Sequence, residues 1–217
     1  FTSLAPEQIT AYEGGLKTTF FNRRARLNIS AFRYDFRDGI VNIDNPRAPV
    51  PIAINAANIK TLGVEVDAQL QVTKELGLSL SGGWLDSQIK SDIAAGGISL
   101  RGNRPVNAPR WTFSGQGTFR KTLASGWTPS ASVDWNYRSD QFLETQNAPS
   151  NRESGYWLAN GRSAIATPDD RIQIAAFVKN LTKTTYRTYV NDLPNFGWLL
   201  NIYGNPRTYG VSVAVKF

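Results

Sequence analysis

The sequence predicts an all-β chain, an antiparallel up-and-down transmembrane β-barrel, and three observations carry that prediction. Strictly alternating apolar and polar stretches recur along the chain. The connections between them are short and long in turn. Bulky apolar residues recur eight positions apart on the apolar face. Side chains change sides at every residue of a strand, so each alternating stretch has one apolar and one polar face. The stretch that ends the chain is the model for the rest. In residues 205–217 (NPRTYGVSVAVKF), Tyr209, Val211, Val213, Val215 and Phe217 share one face, and Thr208, Gly210, Ser212, Ala214 and Lys216 share the other.

The preceding elements follow the same rule. Residues 12–21 (YEGGLKTTFF) put Tyr12, Gly14, Leu16, Thr18 and Phe20 on one face, and Glu13, Gly15, Lys17 and Thr19 on the other. A polar turn at 22–24 leads into residues 26–36. There Leu27, Ile29 and Ala31 alternate before the phase changes at Phe32, Tyr34 and Phe36. A bulge gives such a change, and so does a strand leaving the apolar zone. Residues 38–57, with Pro46, Pro49 and Pro51, read as a long loop.

Residues 58–72 alternate most cleanly, Leu62, Val64, Val66, Ala68, Leu70 and Val72 against Thr61, Gly63, Glu65, Asp67, Gln69 and Gln71, a pattern foreign to a helix. A tight turn at 73–75 precedes residues 76–85, with Leu76, Leu78, Leu80, Gly82 and Trp84 in phase. After a loop at 86–107 come strands at 110–120 and 127–139, joined by a turn around Ala124-Ser125-Gly126. A polar loop at 140–154 leads to a weaker strand at 155–165 whose phase is ambiguous. A turn at 167–170 precedes residues 171–179, with Ile172, Ile174, Ala176 and Val178 in phase, and an aromatic loop at 181–204 leads into the final strand. The total is about nine strands.

Tight turns and long loops in strict alternation are the habit of outer-membrane barrels, which have short periplasmic turns and longer extracellular loops. The eight-residue spacing links Tyr12 to Phe20, Leu76 to Trp84, Trp111 to Phe119, Trp127 to Trp135 and Tyr209 to Phe217. At about 3.4 Å per residue and a tilt of roughly 40°, eight residues rise about 21 Å along the membrane normal. That approaches the apolar band of about 25 Å between two aromatic girdles. The polar face carries both signs of charge: Glu13, Lys17, Glu65, Asp67, Asp134, Arg138, Lys179 and Lys216.

Composition narrows the functional classes. The chain has 217 residues, 41% hydrophobic content, a mean hydropathy of −0.32 and a net charge of +7. No run approaches the roughly 18 apolar residues of a spanning helix. Cysteine and histidine are absent. Within the chain this excludes a Ser-His-Asp triad, an imidazole zinc site and the familiar His-based barrel proteases and phospholipases, so no enzyme is expected. The basic residues do not interleave with aromatics as a nucleic-acid surface would, so the expected partners include no nucleic acid. A small self-contained barrel (passive porin, structural protein or adhesin) and a soluble carbohydrate-binding sandwich are the other readings of this pattern.

Three segments resemble the TonB-dependent outer-membrane receptors. PEQITAYEGGLKTTF (residues 6–20) looks like that family's Pro-Glu…Tyr-Glu-x-Gly-x-Lys-Thr stretch. NIKTLGVE (58–65) resembles its internal Asn…Gly-x-Glu strand start. NLTKTTY (180–186) followed by NPRTYGVSVAVKF is similar to its closing pattern. The resemblance implies a 22-stranded barrel in a Gram-negative outer membrane, of which residues 1–217 would form about the nine C-terminal strands, with a periplasmic C-terminus. It further implies a plug and an energy-coupling box N-terminal to these strands, and uptake of a scarce nutrient, most often a ferric siderophore. No resident cofactor is implied, since ferric iron would enter only as part of the transported chelate.

The implied partners are outer-membrane lipid and lipopolysaccharide, a small-molecule chelate, an inner-membrane energy-coupling protein and the barrel-assembly machinery. An anionic chelate calls for cations and aromatics on loops. The candidates are Arg101, Arg104, Arg138, Arg152, Tyr186, Arg187, Tyr189, Phe196, Trp198 and Tyr203. Tyr209, Val211, Val213, Val215 and Phe217 form the expected assembly signal, with the terminal Phe as its key residue.

Overall fold

In the computed structural model, residues 4–43, 52–95, 98–193 and 197–217 are described. Nine long strands form one sheet: β1 (Gln8–Phe20), β2 (Ala25–Ile43), β3 (Ile52–Gln71), β4 (Leu76–Ile89), β7 (Trp111–Arg120), β8 (Thr128–Arg138), β11 (Tyr156–Ala166), β12 (Ile172–Lys179) and β15 (Thr208–Val215). Three hairpins of their own decorate the long connections: β5 (Ala94–Ala95) with β6 (Ile98–Ser99), β9 (Gln141–Phe142) with β10 (Arg152–Glu153), and β13 (Arg187–Leu193) with β14 (Trp198–Tyr203). Every neighbour pair in the large sheet is antiparallel and consecutive, and the sheet is open, with β1 and β15 as its edges.

Register makes the two faces continuous across strands. Ile29 lies opposite Leu16 and Val66, Val66 opposite Gly82, and Gly82 opposite Phe113, all on the apolar face. The aromatics concentrate at the long-connection end of that face. Trp111, Phe113, Tyr137 and Trp157 form a ladder with successive ring centroids 6.0, 6.0 and 4.8 Å apart. The strand of ambiguous phase is settled by its partner: Trp157, Ala159, Gly161, Ser163 and Ile165 lie opposite Tyr137, Trp135, Val133, Ala131 and Pro129, and so share the apolar face.

The deeply buried apolar side chains Ile89, Leu100, Leu143 and Val190 lie at the long-connection end, whereas the apolar face of the sheet is exposed along its length. Such a face cannot stay in water. It is the surface that a bilayer covers.

The structure corrects the sequence reading at several connections. Residues 38–57 are not a loop throughout, because β2 runs to Ile43 and β3 begins at Ile52. β2 and β3 stay paired as a hairpin past the apolar zone, with Ile40 opposite Asn55 and Ile43 opposite Ile52. Pro46, Pro49 and Pro51 lie outside the described residues. There is no bulge at Phe32: pairing is unbroken from Ala25 to Phe36 and shifts only around Gly39, next to Asp38 at φ 56°. The phase change therefore marks aromatics moving to the polar face as β2 leaves the apolar zone, where Phe32 and Tyr34 stack at 4.7 Å. The aromatic loop at 181–204 contains the β13–β14 hairpin, which pairs with no strand of the large sheet.

The short turns hold by compact local bonding. Gly126 takes φ +83° and donates its N–H to Leu123, and a Cβ there would stand 2.7 Å from Pro168 of the neighbouring turn. Arg24 caps the next turn by donating to the carbonyls of Gln71 and Val72. Asp170 receives Lys216 just past β15.

Candidate ligand site beneath the long connections

On the polar face, where the sheet meets the long connections, lies a pocket of about 870 Å³. Its floor is the alternating polar side of β3, β4 and β7: Glu65, Asp67, Ser81, Thr112 and Ser114. The Ser81 hydroxyl donates to the Asp67 carboxylate at 2.6 Å. One wall comes from the adjoining ends of β8 and β11, where Arg138 and Tyr156 lie directly opposite each other. Tyr186 stacks on Tyr156 with centroids 4.7 Å apart, and its ring lies against Gly204, where a Cβ would come within 2.0 Å of it. Arg187 and Thr188 of β13 contribute from the last connection.

Arg138 is exposed and has no ion-pair partner among the described residues. Gln141 also lines the pocket. It is almost fully buried, and its carboxamide oxygen lacks a hydrogen-bond donor. A buried acceptor without a donor is costly and marks a place that a ligand N–H or O–H, or a water, would satisfy. The pocket thus offers an exposed cation, stacked phenol rings and an open acceptor above an acidic floor.

The connections above the pocket are tied to one another through the 139–155 segment. Arg104 donates to Asp140 at 2.6 Å, and its guanidinium lies 4.8 Å from the Phe142 ring centroid. Arg152 shares Asp140 at 3.3 Å. Burial pushes the Asp140 carboxyl up, but the hydrogen bond and charge of Arg104, then those of Arg152, outweigh it and hold it below the usual carboxylate value.

On the other side Arg187 donates to Glu153 at 2.7 Å, to the Ser150 carbonyl at 2.9 Å and to Asn201 at 3.1 Å. Asp192 accepts from the Ser150 hydroxyl, while Glu144 accepts from the Asp192 N–H and from Asn151. One segment therefore joins the connections on either side of it.

The residues expected from sequence fall into overlapping groups. Arg138, Tyr186 and Arg187 line the pocket. Arg104, Arg152 and Arg187 are held by carboxylates in the network, and Arg101 pairs with Asp92 at 2.6 Å on an exposed turn. Tyr189, Trp198 and Tyr203 stand exposed on the last hairpin, and Phe196 lies outside the described residues. Tyr209, Val211, Val213 and Val215 occupy the apolar face of the edge strand β15, with the Phe217 ring fully exposed beyond it.

Sequence reasoning missed Tyr156, Gln141 and the carboxylates Asp140, Glu144 and Glu153. For Tyr156 the signal was its place at the start of a strand, facing the end of the preceding one. Gln141 carries no signal in sequence. Among the described residues no group of three or more His, Cys, Asp or Glu side chains could hold a metal ion.

An open antiparallel sheet with an aromatic-lined apolar face, short turns at one end and long connections over a polar pocket at the other defines part of the wall of an outer-membrane β-barrel. Residues 1–181 match the family model described as TonB dependent receptor-like, beta-barrel, and the chain belongs to that family. Solved structures of similar fold include the ferric yersiniabactin uptake receptor FyuA from Yersinia pestis (TM-score 0.81, 19% identity, 97% of this chain and 30% of that one). The siderophore receptor PiuA from Acinetobacter baumannii is also similar (TM-score 0.72, 19% identity, 96% of this chain and 28% of that one). So is the copper transporter OprC (TM-score 0.72, 17% identity, 99% of this chain and 32% of that one). The chain thus spans about three-tenths of the length of these proteins.

Proposed function

We propose that these strands form part of the wall of an outer-membrane receptor for energy-coupled uptake of a scarce nutrient, and that the nutrient is a ferric siderophore. The observation that carries the reading is Arg138, a cation without a carboxylate partner among the described residues, beside the Tyr156–Tyr186 stack in a pocket of about 870 Å³. An Arg guanidinium beside aromatic faces suits an anionic, ring-bearing chelate. The acidic floor at Glu65 and Asp67 repels such a ligand and holds it at the level of Arg138. The structural resemblance to siderophore receptors supports this choice, and the likeness to a copper transporter makes a direct ligand comparison the deciding measurement.

In this reading a 22-stranded barrel surrounds a plug, and an inner-membrane protein supplies energy through the N-terminal region. The long connections face the cell exterior and the C-terminus faces the periplasm. Tyr209, Val211, Val213, Val215 and Phe217 serve the barrel-assembly machinery as a recognition strand. Deleting Phe217 then lowers the amount of receptor in the outer membrane while the ligand affinity of assembled molecules stays constant. Normal surface levels would remove that role.

The ligand assignment is tested with the full receptor in detergent, titrated with ferric catecholate, hydroxamate and carboxylate chelates and with cupric ion. One ferric chelate should bind, and Arg138→Ala should weaken it about tenfold or more, as loss of a charge-assisted hydrogen bond of about 1.5–3 kcal/mol implies. Unchanged affinity in Arg138→Ala, or binding of cupric ion alone, would reject the siderophore reading.

A further inference from the structure

Two buried side-chain oxygens among the described residues lack a hydrogen-bond donor, and they differ in position. Asn151 lies off the pocket wall and donates its amide N–H to Glu144. Gln141 forms part of the wall itself. Its carboxamide oxygen has given up water without gaining a donor, which costs free energy until a donor arrives.

The neighbours of Gln141 explain how it comes to be there. Arg104 donates to Asp140 at 2.6 Å and lies 4.8 Å from the Phe142 ring centroid, which holds both residues on one side. Alternation along the extended chain then turns Gln141 to the other side. There it stands opposite Glu153 of β10, which is bound to Arg187 at 2.7 Å. The segment is gripped from both sides, and Gln141 shares the pocket wall with Arg187 and Arg138. Gln141 follows Arg138 by three residues, so their Cα atoms are no more than about 11 Å apart. One chelate can reach both.

We propose that Gln141 is a specificity-determining residue of this pocket. Its side chain turns to accept an N–H from the chelate's organic scaffold, while Arg138 takes the anionic group and the Tyr156–Tyr186 stack takes a ring. The pocket therefore selects ferric chelates whose scaffold carries secondary amides, and disfavours those built from carboxylates alone. A carboxylate chelate satisfies Arg138 but leaves the buried acceptor unpaired, and brings further oxygens toward Glu65 and Asp67. Sites built around a hydrogen bond reject analogues that lack the donor far more strongly than apolar pockets reject a missing methylene. The inference rests on the siderophore reading above and narrows it to one chemical class.

The test uses the full receptor in detergent, ferric citrate, and two matched pairs of ferric chelates, one tris-catecholate and one tris-hydroxamate. In each pair one member carries a free secondary amide on its scaffold, outside the iron's coordination shell. The other member is methylated on that nitrogen. The wild type should bind the N–H member of one pair at least tenfold more tightly than its methylated partner, and ferric citrate more weakly still. Gln141→Met keeps the length of the side chain without the acceptor and should abolish the difference within the pair. Gln141→Asn, with the oxygen withdrawn by one methylene, should reduce it. Heat-modifiable gel mobility reports folding of both variants, and the wild-type comparison stands whether or not either variant folds.

Equal binding of both members by the wild type would overturn the proposal. So would a difference that persists in Gln141→Met, with or without weaker binding of both members. Arg138→Ala in the same assay separates this inference from the reading beneath it. Weaker binding in Arg138→Ala together with an amide preference that ignores Gln141, or binding of ferric citrate in place of both pairs, rejects the inference alone. Binding of no ferric chelate, or unchanged affinity in Arg138→Ala, rejects the siderophore reading and the inference with it.

Discussion

The Phe32 ring lies flat over Gly63, its partner across the β2–β3 ladder. A Cβ built at Gly63 would stand 2.2 Å from the ring's Cζ. The glycine is buried by that ring although it sits in the middle of a strand, where glycine is otherwise unfavourable. The aromatic covers the exposed backbone of the glycine, and the same device recurs at Gly115 under Trp135 and Gly210 under Phe177.

Gly63→Ala should therefore destabilise the receptor by about 1–3 kcal/mol, since the ring must leave its position to admit a methyl group. Gly14→Ala, on a strand where a Cβ meets nothing within 4 Å, is the matched control and should be neutral or slightly stabilising. Urea unfolding of the full receptor in detergent or lipid measures both. Equal effects would show that the ring does not depend on the glycine.

The two faces of β3 predict opposite responses to charge. Val66 belongs to the apolar face, whereas Asp67 faces the pocket and accepts from Ser81. Val66→Arg should cost about 2–4 kcal/mol near the membrane midplane. Asp67→Asn keeps an acceptor for Ser81 and should cost less than about 1 kcal/mol. Folding into lipid vesicles checks the contrast, and similar costs for the two variants would reverse the assignment of faces.

Periodicity made the sheet legible in sequence because each strand of the apolar zone has to alternate. Val64, Val66 and Ala68 can be assigned to a face by counting. It failed where that requirement ends. Above the apolar zone β2 and β3 continue as a hairpin whose pattern no bilayer enforces, so Ile40–Ile43 read as loop. Residues 155–165 read ambiguously because Ala159, Gly161 and Ser163 are small on the apolar face, and only the opposing Trp135 and Val133 fix their side. The site was half legible. Arg138 and Tyr186 stand out as charge and aromaticity near strand ends. The carboxylates that neutralise Arg104, Arg152 and Arg187 are brought there by contacts 12 to 36 residues apart, which no local pattern records.

Arg187 is the clamp on which the last hairpin depends. It serves Glu153, Ser150, Asn201 and the Arg152 carbonyl at once, and both it and Glu153 are largely shielded from water. Arg187→Ala leaves the Glu153 charge without its cation, a loss of about 3 kcal/mol for a buried pair. Hydrogen exchange should accelerate in β13, β14 and residues 150–153 and stay unchanged at the short turns. Arg187→Lys keeps the charge but not the fork of donors, and should restore only part of the protection. Exchange confined to residue 187 itself would mean that the hairpin is held by Val190 and its apolar contacts instead.

The Asp140 clamp adds a dependence on pH. Arg104 and Arg152 hold its folded-state pKa below the ordinary value despite burial. Its contribution is therefore fully present above the unfolded-state pKa of about 3.9, and is lost as pH falls through the lower folded-state value. Acidification should release the Arg104 side of the network, exposing residues 103–107 and 139–147 to exchange, while the central sheet stays protected. The comparison that isolates this group is Asp140→Asn. That variant should exchange faster in these segments already at pH 6, and the further increase on acidification should be smaller than in the wild type. An identical acid response in the two proteins would remove Asp140 as the source of the release.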